Sequence, residues 1–401
     1  RADLDGAYAD AMLMVARYYP QHDDIALLAA ESAMDTLPWN YWEADRQTPQ
    51  PRLGEAIRLV ETVLARNAAH PQAPHLYIHL MENGPDPKRA EAAADRLSAP
   101  LAGDAGHMVH MPAHIYYRLG RWKDSIRVNI DAARKDEAYI KEANDKGFVR
   151  YGYYPHNVHF IVTSAQMGGD LPTAVREAKR LASIVDANTA SQIPWIQAIY
   201  AAPYFATLQG APASEVLELP EPDPRLAYVQ GVRHYARAVA YAKQKNEIGF
   251  DKEMRELSRV RQLEALKPMA DQGMPAPDLL AIAEHVARGK YASIRGRHLQ
   301  AADHYRQALA IEDRISYMEP PWWYFPVSQS LGAALYRAGR YNDAQQAFTA
   351  ALAKYPGNGW ALYGLAASEQ KLGRRAQAAA ATAALNRAWM GDSKWLRMER
   401  L

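Results

Sequence analysis

Ser328 to Pro356 reads SQSLGAALYRAGRYNDAQQAFTAALAKYP, and it decides the fold. Leu331 and Leu335 share one face of a first helix, Gly339-Arg340-Tyr341 makes a turn, and Ala344, Phe348 and Ala351 line a second helix that Pro356 closes. Apolar residues three, four and seven apart mark amphipathic helices. The small residues Gly332, Ala344 and Ala351 let the two helices approach, while Leu331, Leu335, Tyr341 and Phe348 fill the space between them. Such a hairpin cannot bury its own apolar face, so it must stack on neighbours.

The same frame recurs at Gly296-Arg297-His298 with Ala301, Tyr305 and Ala308, and at Gly373-Arg374-Arg375 with Ala378. It recurs earlier at Gly120-Arg121-Trp122 with Ser125 and at Gly169-Asp170-Leu171 with Ala174. Together these copies resemble the tetratricopeptide repeat (TPR). The resemblance implies an all-α, TPR-like superhelical solenoid of stacked antiparallel helix pairs. Residues 1–215 are expected to form an N-terminal array and 216–401 a C-terminal array continuous with it. Proline makes loops of Pro38-Trp39-Asn40-Tyr41-Trp42 through Pro51 and of Glu319 to Pro326, and the stretch from Leu217 to Pro224 reads as an irregular connection. The opening at Arg1, in mid-pattern, reads as a trimmed N-terminus.

Composition narrows the functional classes. Lys plus Arg number 47 against 45 Asp plus Glu, without basic runs, so no footprint for a nucleic-acid backbone is expected. No stretch is long and apolar enough to suggest a membrane span. Cysteine is absent, which removes disulfides, thiolate metal ligands and a Cys nucleophile, and leans toward a periplasmic or secreted protein.

Eight of the 13 histidines lie between positions 70 and 159. Measured back from the turns at Pro85, Gly120 and Gly169, His79 and His114 fall six residues before the turn. His75, His110 and His159 fall ten before, and His107 and His156 thirteen before. Residues three or four apart share a helix face. The TPR resemblance implies that these offsets line a concave groove, so seven imidazoles are expected on one surface as ligands of a transition metal ion: copper, zinc or iron. A single helical His is ordinarily a satisfied surface or core residue. Aligned pairs on successive repeats differ, because packing has no use for a group that is costly to bury unpaired.

Glu31, at the offset of His79 in the preceding repeat, and Glu82, three residues beyond His79, are the candidate proton carriers. Glu82 is equally placed to hold an imidazole by its second nitrogen. No Glu follows the first histidine in His75-Leu-Tyr-Ile-His79 or His110-Met-Pro-Ala-His114, so the zinc-peptidase helix motif is missing. Pro112 introduces an alternative at the second group: if it opens a helix, His107 and His110 sit in a lead-in turn. Tyr200, Tyr204, His234 and Arg237 are expected to extend the groove wall toward a small-molecule or peptide substrate.

The His-containing segments Gly106 to Ile115 and Tyr154 to Phe160, with Pro38-Trp39 and Ser330-Leu331-Gly332, resemble a bacterial group of TPR proteins with His-rich repeats. The expected function is a metal-binding TPR protein, a metal-dependent hydrolytic or oxidative enzyme or else a non-enzymatic scaffold for a peptide or partner protein.

Overall fold

The computed structural model describes residues 2–98, 101 and 103–401. Among them the regular structure is helical, and the only β pairing is an isolated bridge between Trp42 and Pro49. The chain forms two compact units, one of residues 1–119 and 127–138, the other of residues 120–126 and 139–401. The division expected at 215/216 falls inside the second of these.

The first unit contains α1 (Ala2–Tyr18), α2 (Asp23–Asp35), α3 (Leu53–Arg66), α4 (Gln72–Glu82), α5 (Glu91–Leu97), α6 (Gly106–His110) and α7 (Pro112–Leu119). It also takes the middle of α8 (Trp122–Ala143). Each of α1 to α4 packs on the next, and α7 packs on both α4 and α5. The segment between α2 and α3 is the expected loop. Trp42 is buried there, its indole N–H donating to the Leu80 carbonyl at 3.0 Å.

The second unit begins its helices with α9 (Tyr154–Gly168), α10 (Leu171–Ile184), α11 (Ala187–Gln192), α12 (Pro194–Gly210) and α13 (Ala213–Glu218). It continues through α14 (Ala227–Lys243), α15 (Glu247–Arg261), α16 (Lys267–Asp271), α17 (Ala276–Ile294) and α18 (His298–Glu312). It ends with α19 (Val327–Arg337), α20 (Tyr341–Lys354), α21 (Gly359–Lys371) and α22 (Arg375–Ala388). From α17 to α22 every helix packs on its successor. Both the Glu319–Pro326 segment and the connection before Ala227 lie outside α-helices, as proline there requires.

The Gly-Arg turns follow one physical scheme. Gly296, Gly339 and Gly373 have φ of 78°, 78° and 73°, in the left-handed region that suits glycine. The N–H of the following arginine then reaches back five residues: Arg297 to Ala292, Arg340 to Leu335 and Arg374 to Glu369, at 2.9, 2.9 and 3.0 Å. This satisfies a helix-end carbonyl and reverses the chain at once. Inside the hairpin, Ala344, Phe348 and Ala351 are fully buried. A Cβ on Gly332 would stand 2.9 Å from three Phe348 ring atoms, and one on Gly364 would stand 2.2 Å from the same ring. Two helices therefore press on one phenyl ring through glycine.

This packing makes Gly332→Val a clear test. Valine would overpack the buried ring and is expected to lower unfolding stability by about 1–3 kcal/mol. A thermal midpoint equal to that of the parent protein would show that α19 and α20 do not depend on the close approach.

Candidate functional site

α4 sets His75 and His79 one turn apart on one face, with Pro74 in the first turn, where its missing N–H costs no hydrogen bond. Pro112 opens α7, so His107 and His110 lie on the separate five-residue α6 and His114 on α7. The lead-in alternative is thus the observed one. α6 is pressed against α8: a Cβ on Gly106 would lie 2.0 Å from an Asp136 carboxylate oxygen, so any larger residue would have to displace that side chain.

These elements bring five imidazoles of the first unit together. Ring centroids are 5.0 Å apart for His75 and His79, 5.2 Å for His75 and His107, 5.7 Å for His79 and His114, and 4.8 Å for His110 and His114. One nitrogen from each of His75, His79 and His107 lies within 4.8 Å of the other two. Metal–nitrogen bonds of about 2.0–2.1 Å in a tetrahedron place ligand nitrogens a little over 3 Å apart, so small side-chain adjustments would close this triad on one ion. His75 Nδ1 is 3.2 Å from Gln72 Oε1, while its buried Nε2 has no hydrogen-bond partner.

Glu82 sits at the centre of the cluster with no solvent exposure. One of its oxygens accepts from His79 Nδ1 at 2.8 Å and the other from His114 Nδ1 at 2.6 Å. An ionised carboxylate only accepts, so both rings carry their proton on Nδ1 and turn the Nε2 lone pair away from Glu82. Burial pushes the Glu82 carboxyl up, yet the two adjacent imidazoles outweigh it and hold the group well below the usual carboxylate range. Asn129 on α8, buried, plays the same part for His110: its Oδ1 lies 2.7 Å from His110 Nδ1. His110 and His114 consequently face each other Nε2 to Nε2 at 2.9 Å. That separation is a hydrogen bond, in which one Nε2 carries the proton that the other accepts.

Burial lowers His107 to about 3 and His75 further still, with the neighbouring imidazoles adding to the effect. Both rings are therefore neutral at pH 7, the form that binds metal. Glu31 on α2 is half-buried, and its carboxyl is raised by burial and by Asp35, with a smaller opposing pull from His79. Trp39 packs its edge on His79, ring centroids 6.3 Å apart, while 53% exposed; its φ of 58° turns the loop over that ring.

The remaining sequence candidates lie in the second unit. His156 packs on Phe160 and Trp195. His159 is buried against Tyr324 with no hydrogen bond from the described residues to either ring nitrogen, and burial lowers it to about 3. The Tyr204 hydroxyl donates to the Pro220 carbonyl at 2.8 Å, and Tyr200 is half-buried with its phenol raised by burial. Glu253 engages both His234 Nδ1 and Arg237 Nε, at 2.7 and 2.8 Å, while Arg237 also donates to the Leu217 carbonyl. That places Arg237 in an internal ion pair that ties α14 to α15.

Sequence reasoning missed Asn129. α8 is rich in polar residues, and no spacing along it singles this amide out.

Acid should expose the neutrality of these rings. In metal-free protein the unfolded chain takes up protons on His75 and His107 near 6.5, whereas the folded chain does so only far lower. The unfolded state thus binds more protons in this window, and stability must fall as pH drops from about 6.5 toward about 3. Urea titrations at pH 7, 5.5 and 4 are expected to show this loss, with a shallower slope in His107→Gln. An identical slope in that variant would contradict the burial assigned to His107.

Comparisons with known proteins bear on the fold. Residues 335–398 match the family model described as "Tetratricopeptide repeat". No curated protein matches the chain. Solved structures similar to it include "Human IFIT1 dimer with m7Gppp-AAAA", at 12% identity over 95% of this chain and 77% of that one, TM-score 0.36. Others are "Crystal Structure of P58(IPK) TPR Domain at 2.5 A", at 11% identity over 94% and 97%, TM-score 0.27, and the "APC/C hetero-tetramer Cut9-Hcn1", at 12% identity over 97% and 97%, TM-score 0.26. These structural likenesses are too loose to carry functional meaning. The matched segment runs from the end of α19 through α22 and includes the turns at Gly339 and Gly373, so this stretch carries tetratricopeptide repeats, and the same Gly-Arg turn recurs at Gly296.

Proposed function

We propose that the first unit of this TPR scaffold holds a transition metal ion on His75, His79 and His107, with His110 and His114 as an adjoining imidazole pair. The observation that carries the reading is the convergence of three ligand nitrogens within 4.8 Å of one another on α4 and α6. The all-imidazole donor set suits zinc, copper or iron and disfavours calcium and magnesium. Glu82 and Asn129 fix ring orientation, a role that outer-shell partners of metal-bound histidine commonly fill. Glu82, buried and shared by two rings, is a holder of imidazoles, and Glu31 with its raised carboxyl is the group suited to move a proton beside His79.

Three histidines leave a fourth position for water or substrate, which makes hydrolytic or oxidative chemistry on a small molecule or peptide the activity to look for. A bound metal lowers the pKa of its water or polarises a substrate oxygen. Trp39, packed against His79, would stand beside such an ion.

Elemental analysis of protein purified without a His tag is the direct test. At least one equivalent of copper, zinc or iron is expected, and the combined change of His75, His79 and His107 to Ala should remove it. Glu82→Gln, which sets an amide N–H against one ring, should weaken binding by about 10–100-fold. Because ligation needs neutral imidazole, metal should leave as pH falls through about 6. Failure to take up any of the three metals would leave a metal-free scaffold for a partner protein as the reading, and full occupancy in the triple variant would overturn the assignment of the ion to these three histidines.

A further inference from the structure

The second unit contains a cavity of about 430 Å³ that the histidine chemistry does not involve. Its walls are apolar and aromatic, with Phe205, Tyr235, Tyr305, Trp323 and Trp360 among them. Four cationic side chains also reach its lining: Lys243 from α14, Lys290 from α17, Arg337 from α19 and Arg400. Glu399 is the one acidic residue there.

Among the described residues, none of the four cations has a side-chain carboxylate within ion-pair distance. Lys243 donates to the Leu208 carbonyl at 2.8 Å, Arg400 to the Gln209 carbonyl at 2.7 Å and Arg337 to the Ser293 hydroxyl at 3.0 Å. Lys290 donates to the Leu401 carbonyl, which also accepts from the Ser330 hydroxyl at 2.8 Å. Burial and the repulsion of Lys243, Arg400 and Arg337 lower Lys290 to about 7. Clustered cations in an apolar wall are costly unless something offsets them. Elsewhere in the same unit the part-buried Arg237 is paired with Glu253.

A cavity of this size matches a small organic ligand, and its surface divides into an aromatic body and a cationic end. We propose that this cavity is a binding site for a small amphipathic carboxylate, whose apolar tail lies among the aromatic side chains and whose carboxylate is received by Arg337 and Lys290. Arg337 sends one donor to Ser293 and keeps further guanidinium N–H groups for an incoming anion. The site lies wholly within the second unit, and it stands or falls apart from the metal reading.

The test uses the full chain with decanoate, decanol and acetate as probes, read by calorimetry and by the fluorescence of tryptophans such as Trp323 and Trp360. Decanoate should bind with one-to-one stoichiometry and at least about tenfold more tightly than decanol, a gap of about 1.4 kcal/mol. Acetate, which lacks the tail, should not compete. Arg337→Met and Lys290→Met keep much of the apolar stem and should each weaken decanoate about tenfold while leaving decanol unchanged; Arg337→Lys, which keeps the charge, should recover part of the loss. The wild-type comparison decides even where a variant misfolds. No decanoate binding, or equal affinity for decanol and decanoate, would overturn the proposal.

Discussion

Everything in this chain rests on the inability of a single helical hairpin to bury its own apolar face. The Gly-Arg turns reverse the chain in a fixed geometry, and the glycines at 332 and 364 let adjoining helices close on Phe348. Once that contact sets the spacing between helices, side chains at equal offsets from successive turns are delivered to equivalent places. A functional site can then be assembled by repetition, one or two residues per hairpin, without any long loop to position it.

In the first unit this delivery meets an electrostatic condition. Five imidazoles within contact distance would repel one another if charged, and burial keeps His75 and His107 neutral. The negative charge of Glu82 is tolerable in a solvent-free position because two ring N–H groups share it. The same pair of hydrogen bonds fixes which nitrogen of His79 and His114 can act as a ligand. Tautomer, orientation and charge are therefore settled by one carboxylate.

Much of this was legible from residue spacing. The turns were readable because glycine at the left-handed position and the small-large pattern after it are demands of backbone sterics. The histidines were readable because offsets of six, ten and thirteen from a turn are commensurate with the helix period. Asn129 was not, since one amide on a 22-residue helix carries no spacing of its own and its role depends on where α6 lands. The fate of Arg237 depended on Glu253, sixteen residues away on the next helix, which no local pattern reveals. The cationic cavity was hidden for the same reason: Lys243, Lys290, Arg337 and Arg400 come from four separate parts of the chain and meet only after stacking.

The proline at 112 changes what three nearby histidines can do. On one uninterrupted helix His107, His110 and His114 would form a ladder, each rung displaced along a common axis. Pro112 ends α6 and opens α7, and across that junction His107 packs on His75 and His114 on His79 of α4, while His110 and His114 face one another. A one-dimensional row becomes a three-dimensional pocket of donors, and the number of imidazoles that can share a neighbour is no longer limited by helical rise. A residue usually counted as a defect in a helix here raises the dimensionality of the site.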